Sequence, residues 1–135
     1  MLGMGLNRHQ IEMLAREHLY RPIRGDVLMI GRQSVYLSPD EFIDTLGGIG
    51  VDVSGADAAK IELDRGTLNR VGLRDDLVSD RGIFVFFGGT RVRAIDLSGY
   101  EGSEIVHDLN LPVPSSLRAI VDVAEAPRNY CDMAL

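Results

Sequence analysis

Residues 91–110 read RVRAIDLSGYEGSEIVHDLN, and the arrangement of the rest of the chain turns on them. Val92, Ala94 and Ile95 form a short apolar run that stops at Asp96. A turn of small residues follows (Ser98, Gly99, Gly102, Ser103), and a second run at Ile105 and Val106 stops at Asp108. Two short buried-type strands, each ending in a carboxylate, predict an open α/β sheet with a ligand crevice at the carboxyl ends of its strands. A carboxylate just past a strand end can accept two hydrogen bonds from a ribose diol or an amino group. Asp in that position is also a common turn former that satisfies nearby backbone N–H groups. Spacing alone leaves both roles open.

Upstream, residues 26–30 (DVLMI) are a continuous apolar run closed by Gly31, the pattern of a strand buried on both faces. After the Gly31-Arg32-Gln33-Ser34 turn, a helix start is written with several agreeing signals. Ser38 stands at the N-cap, Pro39 at the first helical position and Glu41 at the capping-box position. Phe42, Ile43 and Leu46 supply its buried face, and Gly47-Gly48 is expected to end it. Strand, glycine turn and helix make the first βα unit. Before it, residues 7–19 predict a helix capped by Asn7, with Ile11, Leu14, Ala15 and His18 on one face and Pro22 barring continuation. A cationic His18 would be favoured there by the helix dipole.

Composition bounds what such a domain can be. The chain has 135 residues, 45% of them hydrophobic and 25% charged, enough to bury one core. The net charge of -6 offers no global attraction for nucleic acid, and Arg91 with Arg93 is too small a basic patch to change that. The start MLGMGLNRHQ lacks the apolar core of a secretory signal, and the longest apolar run, 83–87, is too short to span a bilayer. The single Cys131 cannot form an intrachain disulfide, which fits a cytoplasmic location. His9, His18 and His107 show no metal-ligand spacing with one another or with Cys131.

Two blocks, RPIRGDVLMIGRQSVYLSPDEF and VRAIDLSGYEGSEIVHDLNLPVP, resemble the first, second and third strands of class I S-adenosylmethionine-dependent methyltransferase-like proteins. The resemblance extends in outline over residues 1–123. It implies a mainly parallel, Rossmann-like α/β half-sheet with packed helices and S-adenosylmethionine as the small-molecule cofactor. It further implies Asp96 on the ribose hydroxyls, Asp108 with neighbouring Leu109 at the adenine, and Gly31 at the mouth of the first turn. No catalytic side chain or metal is implied, because methyl transfer from a sulfonium relies largely on proximity and orientation. The acceptor is not named by the resemblance.

The sequence departs from that family where most members carry a glycine-rich first turn. Only Gly31 remains, followed by Arg32 and Gln33. The G-x-G-x-x-G fingerprint is absent as well, which makes an NAD-type Rossmann domain the weaker alternative. Arg32 is expected either to offer its charge to a carboxylate or phosphate, or to stand solvated in the turn.

The resemblance also bears on residues 83–87 (IFVFF). Propensity alone reads a strand and a Gly88-Gly89 hairpin into 90–95. The family places a helix here, parallel neighbours require a crossover element, and Ser79 and Gly88 stand where its caps belong. The helix is therefore the expected element. Residues 51–78 read as an inserted helical excursion, with a short helix at 56–63 and a turn at 64–67.

Past 110–114 (NLPVP), a loop stiffened by its prolines, Ser115 or Ser116 can cap a brief turn, and 119–123 (AIVDV) is a fourth apolar run. The resemblance then stops, and 124–135 reads as an irregular tail. These features predict an incomplete C-terminal half, an open sheet edge prone to self-association, and no methyl transfer by this chain alone. A non-catalytic interaction domain or remnant of the same fold is the competing expectation.

Overall fold

The computed structural model describes residues 5–64, 75–96, 103–108 and 110–112. Three strands, β2 (Gly25–Ile30), β4 (Gly89–Asp96) and β5 (Ile105–Val106), form a parallel sheet in the order β2-β4-β5. A second, two-stranded parallel pair joins β1 (Gly5–Leu6) to β3 (Ser34–Val35). Helices α1 (Arg8–Tyr20), α2 (Pro39–Ile49) and α3 (Asp80–Phe87) complete an α/β architecture. Among the described residues no helix is long and apolar enough to cross a membrane.

The register explains the burial pattern. Val27 pairs with Val92 and Met29 with Ala94, and all four belong to one core cluster with Ile11, Leu14 and Ala15 of α1, Phe42 and Leu46 of α2, and Ile83, Phe84 and Phe87 of α3. Leu28, Ile95 and Ile105 are also buried but lie outside that cluster, as side chains alternating to the opposite face should. Consecutive buried residues at 27–29 thus reflect a strand covered on both sides. Phe42 sits edge-on to Phe86 and Phe87, with ring centroids 5.2 and 6.1 Å apart.

At 83–87 the helix wins over local strand propensity. Ser79 Oγ accepts from the Gly82 N–H at 2.8 Å, and Gly88 closes the helix at φ +136°. Ile83, Phe84 and Phe87 are buried whereas Val85 is 54% exposed, a division between helix faces. Helix α3 leads into β4 through Gly88 alone and packs along it. Residues 83–87 therefore make no hairpin with β4, whose partners are the parallel strands β2 and β5.

Two boundaries differ from expectation. The α2 capping box forms as read, Ser38 with Glu41, but the helix runs through Gly47 and Gly48 and stops at Gly50. One more turn packs Ile49 against the core, and Gly50 takes the left-handed conformation at φ +109°. The helix expected at 56–63 shrinks to a single 3-10 turn, Ala58–Lys60. The following segment is extended instead. Leu63 bridges Val78, and the Asp64 N–H donates to Leu77 O at 2.8 Å. Residues 65–67, 98–99, 115–116, 119–123 and the 124–135 tail lie outside the described residues.

Candidate functional site

The carboxyl ends of the three sheet strands bring together Gly31, after β2, and Asp96, the last residue of β4. Gly31 has φ +78°, which a residue with a side chain rarely adopts, and its N–H donates to Ile95 O at 2.8 Å. A Cβ built on Gly31 would lie 3.9 Å from Asp96 Oδ2. The half-buried Asp96 carboxylate therefore borders the backbone of the first turn. Beyond β5 the His107 N–H donates to Asp96 O at 2.8 Å, extending the ladder toward the same edge.

Asp108 stands on that edge, two residues past β5, in the turn-forming role. Its Oδ1 accepts from the Asn110 backbone N–H at 2.9 Å and from Asn110 Nδ2 at 3.1 Å. Leu109 lies outside the described residues. Of the expected cofactor contacts, Gly31 and Asp96 are thus neighbours, while Asp108 is engaged locally.

Arg32 is no solvated turn residue. Its side chain is only 10% exposed and grips Asp80, which is fully buried at the start of α3. Arg32 Nε donates to Asp80 Oδ2 at 2.9 Å and to Oδ1 at 3.1 Å, and its NH2 donates to Oδ1 at 2.7 Å. The Asp80 bond raises the Arg32 pKa above its ordinary value, against the opposing effect of burial. The Gln33 N–H adds a bond to Asp80 Oδ2 at 2.7 Å, and the Arg81 N–H one to Oδ1 at 2.8 Å. Sequence reasoning offers Arg32 a carboxylate but cannot find Asp80, because an acid in a first helical turn has a sufficient local explanation.

Elsewhere, Glu104 accepts from the Ala94 N–H at 2.7 Å and pairs with Arg81, tying α3 and β4 to the residue before β5. His18 departs from the cationic expectation. Its Nδ1 accepts from the Ile23 N–H at 3.0 Å, its ring tilts against Phe87 at 4.8 Å, and burial lowers its pKa. An acceptor nitrogen in a partly buried ring favours neutral imidazole over the weak pull of the dipole.

Two open cavities lie away from this edge. One, of about 560 Å³, runs between α1 and α2 past Arg8, Glu12, Asp40 and Asp44. The other, of about 380 Å³, borders Lys60, Ile61, Val85 and Phe86. Neither is lined by Gly31, Asp96 or Asp108, so the sheet edge is singled out by its chemistry rather than by the size of a hollow.

The donors at the first turn discriminate between candidate ligands. A pyrophosphate needs backbone N–H groups directed at it. Those of Gly31 and Gln33 are already bonded to Ile95 O and Asp80 Oδ2. A ribose diol needs an acceptor, which Asp96 supplies. The described residues of this turn thus present a carboxylate, and the N–H groups of Gly31 and Gln33 are not open to a phosphate. No protein-family model matches the chain, and neither the curated proteins nor the solved structures gave a match.

Proposed function

We propose that this chain is an S-adenosylmethionine-binding domain of the class I methyltransferase type, built on a Rossmann-like half-sheet. The observation that carries the proposal is the Asp96 carboxylate beside the positive-φ backbone of Gly31, at the carboxyl ends of adjacent parallel strands. Ligands of open α/β sheets bind at that edge. Asp96 would accept both ribose hydroxyls, and Gly31 would give the ligand clearance over the first turn. When bound, the cofactor supplies an electrophilic methyl group on a sulfonium. The chain's own part is to hold and orient it.

Binding without transfer is the second reading. It is favoured by the first turn itself, where Arg32 and Gln33 fill positions that glycines occupy in the family and are fastened to Asp80. Parallel calorimetric titrations with S-adenosylmethionine and NAD test the proposal. Saturable heat with S-adenosylmethionine and none with NAD is the expected result. Silence with S-adenosylmethionine would refute it.

A further inference from the structure

The Asp80 carboxylate is held by an unusual company for an internal side chain. A turn N–H (Gln33), the first-turn N–H of a helix (Arg81) and a guanidinium fork (Arg32) converge on it at 2.7 to 3.1 Å. That combination of donors is one that binds a phosphate at a helix N-terminus. The Asp80 carboxylate also sits on the first βα turn, bonded to Arg32 and Gln33, the two residues that follow Gly31, and that turn is where a nucleotide-binding sheet meets phosphate. Helix α2 does not fill this position, because it begins several residues later, at Pro39. The helix that comes to the turn is α3, 47 residues beyond Gln33, and it arrives with its own anion.

Stability alone is a weak reason for this arrangement. A buried ion pair is often matched or bettered by apolar residues of similar volume. We propose that Asp80 is a built-in anion that fills the phosphate position of the first turn and so restricts the Gly31–Asp96 site to ligands carrying no phosphate there. Asp64 and Glu62 add to the negative charge acting on Arg32. That the excluded ligands are dinucleotides and the accepted one an adenosine sulfonium rests on the function proposed above. That Asp80 occupies an anion site does not.

The test is to remove the internal anion and offer an external one. Wild type, Asp80→Ala and Asp80→Asn are melted in sodium pyrophosphate and in sodium chloride of matched ionic strength. Pyrophosphate should raise the Asp80→Ala midpoint by about 4 °C or more while leaving wild type unmoved, because a ligand bound only by the folded state stabilises it. Asp80→Asn, which keeps the shape but not the charge, should respond less. If Asp80→Ala is unfolded in chloride, pyrophosphate should restore its folded signal. A purely structural Asp80 would give destabilised variants indifferent to which anion is present. The proposal is overturned by an Asp80→Ala chain that behaves alike in both salts, or by a wild type that pyrophosphate stabilises equally. Wild type that fails to bind S-adenosylmethionine, beside an Asp80→Ala chain that responds to pyrophosphate, would remove the adenosine ligand and leave the Asp80 assignment standing.

Discussion

Asp96 and Asp108 look alike in sequence, each closing an apolar run, yet their surroundings separate them. Asp96 borders Gly31 across the strand ends, whereas Asp108 folds back on Asn110. Local spacing cannot distinguish the two because both roles use the same carboxylate geometry. Asp96→Ala should therefore weaken S-adenosylmethionine binding by about 1–3 kcal/mol, the usual loss for a hydrogen bond to a charged group. Calorimetry that finds equal affinities for the two chains would remove Asp96 from the site. His18 gives a second expectation at this scale. Its pKa is lowered in the fold from the ordinary 6.5, so the unfolded chain binds the proton more readily. Stability should then be greatest when His18 is neutral in both states. It should fall as pH drops below the ordinary value, with the loss complete once the pH is below the lowered folded value. Melting curves between about pH 5 and about pH 8 should show this slope, and His18→Gln should flatten it.

Helices α2 and α3 were legible in different ways. The α2 capping signals are local and formed as read, because Ser38, Pro39 and Glu41 need only one another. Its C-terminus was not, since three glycines compete for the stop and the packing of Ile49 selects Gly50. Glycines in the two helices should accordingly respond in opposite directions. A Cβ on Gly48 of α2 meets nothing within 4 Å, so Gly48→Ala should stabilise the chain by about 0.4–1 kcal/mol. A Cβ on Gly82 of α3 would stand 2.9 Å from Glu62 O, and Gly82→Ala should cost about 1–3 kcal/mol. Urea titrations of both variants check the pair. A tolerated Gly82→Ala would mean that the Glu62 backbone moves aside easily.

Across the molecule, one cluster gathers side chains from all three helices and from β2 and β4. Phe42 of α2 and Phe84 of α3 are among its largest fully buried members, at 0% and 2% exposure. Replacing either with Ala should lower stability by about 3–5 kcal/mol. Because both belong to the same cluster, far-ultraviolet dichroism and the near-ultraviolet aromatic signal should move together in each variant. Separate transitions would show that the helices do not share one cooperative core.

The sequence by itself determined the α/β character, the strand at 26–30, the caps of α1 and α2, and the short strands at 92–95 and 105–106. All of these rest on interactions within a few residues or on the alternation of apolar side chains. The caps Ser79 and Gly88 also marked 83–87 as a helix against its strand propensity. Tertiary structure alone decided that α2 ends at Gly50, that His18 is an acceptor rather than a cation, and that Arg32 is fastened to Asp80. In each of those cases the deciding partner lies outside the local pattern. The core holds Ile49, Phe87 of α3 packs against the His18 ring, and Asp80 reaches Arg32 from 48 residues away. Such contacts exist only after the chain has closed on itself, because burial and the joining of distant donors and acceptors outweigh local propensity there.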